Sequence, residues 1–411
     1  MRPATLVHSL VIRNLRGYEA LDLEFGPGPQ LVWGPNAAGK TTLLEAVVLL
    51  GLGRSHRTTV DVELIRWGTT FLRVQGVMGR VERPDGSYRM DATAPRAAIA
   101  GPGGSATEAG PAATPGGATL ELTLQAAGRK KIQVNGVPRR PAALSEHLRA
   151  VLFAPEEMLL IVGPPTLRRV ALDGLAEPHD PSYAHNTATY GRALQQRNSL
   201  LRAVREGEAG RDQLRIWDEP FITAGAAIVG TRLRLLEMLA EPLAAAHREI
   251  APAEGRLTVG YRTNAEPLPG ESPRDALRRR LQETSEKEAW NGATLVGPHR
   301  DDLVFSLGQR DMTTFSSRGQ QRTAILALKL AELDLLTALD GRPPLLLLDD
   351  VFSELDPARR AHLVRRIAEL PQALITATDP DDIDAGLRRQ ARSWRVVADG
   401  GHGARVVEGE A

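Results

Sequence analysis

The chain has 411 residues, 42% hydrophobic but only 4% aromatic, enough for two domains with cores of Leu, Val, Ile and Ala. It contains no cysteine, which excludes disulfides, thiolate metal sites and a cysteine nucleophile, and fits a reducing compartment. With 51 basic and 50 acidic residues the net charge is +1, so a site for a polyanion has to be a local patch.

The opening stretch MRPATLVHSLVIRNL lacks the basic start, long apolar run and cleavage site of a signal peptide, and no apolar run reaches the roughly 20 residues that cross a bilayer. A cytoplasmic protein without a membrane partner is expected. Residues 6–25 read as two strands joined near Gly17. QLVWG (30–34) is a short apolar strand running into GPNAAGKT (34–41), and KTTLLEAVVLLGLG (40–53) is a helix ended by glycines. Residues 92–118 are rich in Ala, Gly and Pro with almost nothing to bury, and a disordered loop is expected there. The stretch after it alternates apolar positions and carries a hairpin signal at Asn135-Gly136.

From about 166 to 290 apolar residues recur three and four apart, the spacing of amphipathic helices. Short strands return from 294, followed by a long helix over about 318–339. PPLLLLDD (343–350) reads as a buried parallel strand and ALITATD (373–379) as another. There is no internal repeat. The expected architecture is α/β: a domain assembled from 1–165 and 291–411, with a mainly α-helical domain, 166–290, inserted.

Gly34, Gly39, Lys40 and Thr41 fit the pattern G-x-x-x-x-G-K-[ST]. In a phosphate cradle of this kind, glycines let backbone N–H groups converge on phosphate, Lys40 reaches the β- and γ-phosphates, and the Thr41 hydroxyl holds Mg²⁺. The following helix points its positive end at the anion. The expected cradle comprises Gly34, Pro35, Asn36, Ala37, Ala38, Gly39, Lys40, Thr41 and Thr42. A strand before it and a helix after it favour this reading over an ordinary loop. Asp349 ends the apolar strand and is the expected magnesium partner, through water, because a hard cation takes oxygen ligands. Asp350 is then placed to orient or activate the attacking water. Alone, two acids at a strand end read equally well as a solvated turn. Ser317 can cap a helix, and with Gly319 and the helix N-terminus it makes a second anion site. From the helix alone, an ordinary cap is the plainer reading.

The order Ser-x-Gly-Gln, helix, apolar strand, two acids and then SELD (353–356) resembles the ABC-type ATPases. That resemblance implies that Ser317, Gly319 and Gln320 form a signature loop serving the γ-phosphate of a partner subunit, and that Ser353–Asp356 is the D-loop. Two heads would then sandwich two ATP molecules. Lys40, Ser317, Gly319, Gln320, Asp350 and Asp356 would be the catalytic set. Transporter ATPases place the signature much closer to the cradle and carry a histidine where ITATDP has Thr376 and Thr378. Chromosome-maintenance ATPases insert a long coiled coil, whereas the insert here lacks sustained heptads.

The stretches LVIRNLRGYEALDLEF, GPNAAGKTTLLEAVVLLGLGRSHRT, LFAPEEMLLIVGPPTLRRVALD, LVGPHRDDLVF, SSRGQQRTAILALKLAEL and LLLLDDVFSELDPARR are similar, in order, to the RecF family of bacterial recombination mediators. They span both ATPase segments and the entry to the helical domain. The insert at 92–118 departs from the family pattern, and the helical stretch between 190 and 290 matches it only in character. The resemblance implies a weak, DNA-stimulated ATPase that binds DNA, double-stranded and at gapped or single-stranded junctions, and forms a homodimer with ATP. It also implies work with RecR and RecO in loading RecA at gaps, serving repair, replication restart and the SOS response. The competing readings are a structural DNA-organising ATPase head and, less favoured, a transporter ATPase subunit.

Basic clusters that could meet DNA are Arg54 with His56 and Arg57, residues 128–131, Arg139-Arg140, Arg168-Arg169 and Arg278–Arg280. Each alone reads more readily as a solvated face. His299-Arg300 with Asp301-Asp302 reads as either an ion-paired turn or a nucleotide-sensing loop.

Overall fold

The computed structural model describes residues 4–81, 117–399 and 403–409. The expected loop at 92–118 lies outside them apart from its last two residues. From the N-terminus come β1 (Ala4–Leu15), β2 (Tyr18–Glu24), β3 (Gly28–Trp33), α1 (Lys40–Leu52), β4 (Phe71–Val81), β5 (Ala118–Gln125), β6 (Lys130–Val134), β7 (Val137–Pro138) and β8 (Ala150–Phe153). The middle of the chain supplies α2 (Leu159–Val162), α3 (Pro165–His179), α4 (Tyr183–Arg205), α5 (Arg215–Ile250), β9 (Leu257–Arg262) and α6 (Pro273–Asn291). It continues with β10 (Asp302–Leu307), β11 (Arg310–Asp311) and α7 (Met312–Phe315). Last come α8 (Arg318–Asp340), β12 (Leu345–Asp349), α9 (Pro357–Ala368), β13 (Gln372–Ala377), α10 (Ala385–Gln390), β14 (Arg392–Asp399) and β15 (Gly403–Glu408).

These elements form two compact units, Met1–Glu157 with Lys329–Ala411, and Met158–Leu328. In the first unit a 12-stranded sheet runs β7-β6-β5-β4-β1-β2-β15-β14-β3-β13-β12-β8. Its β7-to-β2 part is antiparallel and alternates buried and exposed side chains, as a sheet with one wet face must. Around β3, β13, β12 and β8 the pairing is parallel, and β12 and β13 are buried throughout. That is why LLLL and ALIT read as continuous apolar runs. Helix α1 is buried along almost its whole length and packs its Leu and Val side chains into the same core as β1, β4 and β5. Its Glu45 is fully buried and accepts from Arg16 at 2.8 Å and from Ser55, which pins the segment after the helix.

The second unit packs α4 and α5 around a core of Tyr183, Tyr190, Phe221, Ile228 and Leu235. It also holds a three-stranded sheet, β11-β10-β9. The antiparallel pairing of β9 with β10 draws residues beyond 290 into this unit, which runs from 158 to 328 where the sequence pattern suggested 166 to 290. Its interior carries buried ion pairs. Arg197 bonds Asp218 at 2.9 Å, Glu288 at 2.7 Å and the Thr294 hydroxyl at 2.9 Å. Glu288 is fully buried and also accepts from the Leu295 N–H at 2.8 Å.

Removing the arginine leaves that carboxylate uncompensated in a low-dielectric core. Arg197→Ala is expected to destabilise this unit by about 3–5 kcal/mol, measured as a lower urea midpoint. The joint change Arg197→Met with Glu288→Leu is expected to recover most of the loss, because the fully buried carboxylate goes with the arginine and the one left, Asp218, is one-third exposed and can be hydrated.

Candidate nucleotide site

The loop between β3 and α1 is shaped by two glycines with different tasks. A Cβ on Gly34 would lie 2.3 Å from the Val396 carbonyl oxygen of β14, so the loop packs directly on that strand. Gly39 has φ 112°, and a Cβ there would press on the Tyr18 ring and Ala404 at 3.1–3.2 Å. The Tyr18 hydroxyl donates to the Gly39 carbonyl at 3.2 Å. Ala37 takes φ 63°, the left-handed conformation that a tight cradle demands of one non-glycine residue. Gly39 is the N-cap of α1 and supplies no side chain, so the first N–H groups of the helix, which have no intrahelical acceptor, receive no side-chain cap either. Pro35, Asn36 and Ala37 are exposed, Ala38 and Thr42 are buried, and Thr41 is half-buried at the rim.

Lys40 is buried, and its ammonium donates to the Gly34 carbonyl at 2.7 Å and the Pro35 carbonyl at 3.1 Å. Burial pushes its pKa down, while the nearby Asp350 and Asp349 carboxylates pull it back up. Asp349 is the last residue of β12 and is 4% exposed. It accepts a 2.6 Å hydrogen bond from the Thr376 hydroxyl of β13, its partner in the strand register. The same hydroxyl accepts from the Asp350 N–H at 3.0 Å. Asp350 has φ 52°, so the chain turns sharply as it leaves the strand. One of its carboxylate oxygens, Oδ1, is buried with no hydrogen-bond partner among the described residues. The other lies 3.4 Å from the Thr378 hydroxyl, which also meets the Asn36 side chain at 3.0 Å. Burial raises the Asp350 pKa, Lys40 opposes this, and Asp349 adds to it. The structure therefore brings the cradle residues and both acids together around Thr376 and Thr378. Local sequence spacing gives neither threonine this role, which arises only from their neighbours in the folded chain.

The SELD segment follows directly. Ser353 donates to the Asp350 carbonyl at 2.9 Å. Asp356 caps α9 by accepting from the Arg359 N–H at 3.0 Å and pairs with the Arg359 guanidinium. Ser317, Gly319 and Gln320 lie in the second unit. There the Ser317 hydroxyl accepts from the Gln320 N–H at 3.2 Å while the Gln320 side chain accepts from the Ser317 N–H at 3.0 Å, a reciprocal cap at the start of α8. Space beside Gly319 is open: a Cβ there would meet only the Ser317 hydroxyl, at 3.9 Å.

The basic clusters divide. Arg168 is buried, forks onto Asp302 at 2.7 and 3.0 Å and bonds the Gly163 carbonyl at 2.9 Å, while Arg169 bonds the Asp301 carbonyl at 2.7 Å. Arg278, Arg279 and Arg280 pair with Glu219, Glu271 and Glu283. Arg57 lies 3.7 Å from Glu45. These side chains have carboxylate or carbonyl partners within the chain, whereas Arg129, Lys131, Arg139 and Arg140 are exposed. The His299–Asp302 segment is a tied turn. His299 meets the Tyr190 hydroxyl at 2.5 Å, and burial pushes its pKa down to about 4. Asp301 accepts from Tyr261 at 2.7 Å.

Among the described residues no helix is long and apolar enough to cross a membrane, and no group of three or more acidic, His or Cys side chains forms a ready metal cage.

The AAA domain family matches residues 9–65, the stretch from β1 through α1. A DNA replication and repair protein RecF from Roseiflexus castenholzii is 37% identical, over 95% of this chain and 98% of its own. One from Halalkalibacterium halodurans is 33% identical, over 95% and 97%. A solved structure described as the recombination mediator protein RecF-ATP in the RecFOR pathway superposes with a TM-score of 0.82 at 29% identity, covering 99% of both chains. The Smc head domain from Pyrococcus furiosus superposes at 0.52 with 14% identity, which is a likeness of fold alone. The fold is thus an ABC-type ATPase head built from both chain ends, with a second, mainly helical unit inserted, and the chain belongs to the RecF family of DNA replication and repair proteins.

Proposed function

We propose that this protein is a cytoplasmic, ATP-dependent DNA-binding ATPase of recombinational repair, in which ATP acts mainly as a dimerisation switch. The dimer binds DNA at single-stranded gaps and, with RecR and RecO, promotes RecA loading, replication restart and SOS induction. The observation that carries the nucleotide part is the buried, unpartnered Asp350 oxygen beside a lysine-tipped cradle. A buried carboxylate oxygen without a donor is costly unless a ligand completes it.

In this reading the N–H groups opening α1 and the Lys40 ammonium hold the phosphates, Lys40 leaving the Gly34 and Pro35 carbonyls to do so. Thr41 and Asp349 supply the hard oxygens that suit Mg²⁺, with Thr376 fixing the Asp349 carboxylate. A bound magnesium would neutralise developing charge on the phosphates. Asp350, its proton affinity raised by burial, orients and deprotonates the attacking water. The Asn36–Thr378–Asp350 contacts connect the cradle to that acid. Ser317, Gly319 and Gln320 present an open, capped helix start to the γ-phosphate held by a second copy, and Asp356 closes the D-loop.

Lys40→Ala is expected to weaken ATP binding by roughly 10- to 100-fold, the worth of a charge-assisted contact, in a fluorescent-ATP titration. Unchanged affinity would refute the cradle. Asn readily adopts left-handed backbone, so Asp350→Asn keeps the φ 52° turn. It is expected to bind ATP normally and hydrolyse it at least about 100-fold more slowly, with a longer-lived dimer in ATP by size-exclusion chromatography. Normal turnover removes Asp350 from its role. Mixing Lys40→Ala with Ser317→Arg tests whether sites are shared. A two-fold dimer puts both lesions in one site of each mixed pair, so roughly a quarter of wild-type ATPase activity should return if sites act independently. No recovery, with mixed dimers shown to form, assigns Ser317 elsewhere.

A further inference from the structure

Trp67 is 98% exposed, more than any other large apolar side chain among the described residues. It stands in the turn leading into β4, and Val60, Val62 and Phe71 nearby in the chain are exposed as well. A fully exposed indole with further exposed apolar side chains close by in the chain forms the kind of apolar patch that marks a binding surface.

Strand register shows what surrounds this turn. Phe71 pairs with Gln125, and the Ala126 N–H donates to the Thr70 carbonyl at 2.8 Å, so the β5–β6 turn lies beside the Trp67 turn. The Arg139 N–H donates to the Ile132 carbonyl at 3.0 Å, bringing the end of β7 to the same margin of the sheet. Phe71, Arg73 and Lys131 share the wet face. Leu72, Leu122, Leu124 and Ile132 point the other way, into the core. Arg73 is matched by Glu121 and Lys130 by Asp61. Arg129, Lys131, Arg139 and Arg140 are exposed and have no carboxylate partner among the described residues. The margin is therefore aromatic at the start of β4 and cationic from the β5–β6 turn to the end of β7.

A ligand that suits both properties carries phosphates and free planar rings. Duplex DNA offers the phosphates but keeps its bases stacked inside, whereas an unpaired strand offers both. We propose that Trp67, with Phe71, stacks unpaired bases of a DNA strand whose phosphates run over Arg129, Lys131, Arg139 and Arg140. This rests on the DNA-binding reading above and deepens it: the surface tells a gap from intact duplex.

The test measures anisotropy of labelled oligo-dT, blunt duplex and gapped duplex with ATP present, for wild type, Trp67→Ala, Trp67→Phe and the double change Arg129→Ala with Lys131→Ala. Trp67→Ala is expected to lose roughly tenfold in affinity for oligo-dT and gapped DNA and to bind blunt duplex as wild type does. Trp67→Phe keeps most of the affinity but loses the quenching of intrinsic fluorescence by oligo-dT, since Trp67 is one of five tryptophans. The double change weakens binding to all three DNAs and flattens the log–log salt slope by about 1.5. Because Trp67 packs against so little, unchanged thermal midpoints are expected and show that the variants are folded. Wild-type affinity of Trp67→Ala for oligo-dT, or an equal loss on blunt duplex, overturns the stacking proposal alone. Failure of the wild-type protein to bind any of the three DNAs overturns the DNA reading with it.

Discussion

The nucleotide site depends on one strand order: β13 lies between β3 and β12, parallel to both. Register places Ala377 beside Trp33 and Thr376 beside Asp349, so three strands end level. The cradle leaves one of them and the acid pair leaves another, and the crevice beyond their carboxyl ends is where an open α/β sheet offers a ligand free backbone groups. The strand between contributes to the crevice the hydroxyl of Thr376, which binds Asp349 and the Asp350 backbone with the same oxygen. Without that tie the two acids would be independent carboxylates on a flexible exit.

The electrostatics of the crevice follow from this placement. One buried ammonium faces two carboxylates, while the N–H groups at the start of α1 lend the rim of the crevice positive character. The left-handed backbone at Asp350 is strain concentrated where a side chain must be aimed. Polar groups in the second unit serve another purpose. Its buried arginines are saturated by carboxylates and carbonyls, and hold together segments far apart in the chain.

What could be read in advance was what local spacing encodes. The glycines, lysine and hydroxyl of 34–41, the apolar strand before Asp349 and the Ser317 cap each carry their physics within a few residues, and the fold and family followed from their order. Long-range pairings were not legible. Nothing in LTVGYR announces that it will pair with DLVFSL some forty residues later, so the small sheet that extends the second unit to Leu328 went unseen. Arg168 looked like a surface cation because its partner, Asp302, lies at the far side of that unit's sequence. Thr376 carried no signal, since a threonine in a β-strand is ordinary; its task appears only once its neighbour in the sheet is an aspartate.

The same strand order bears on how the protein is made. Both neighbours of β3, namely β13 and β14, come from residues 372–399, and Gly34 is packed against Val396. On the ribosome, β3 is therefore synthesised long before either of its flanking strands. Its two unpaired edges must wait through most of translation, and the loop it carries stays unsupported until then. Incomplete nascent chains carry residues 34–41 in full but not the strands that shape them.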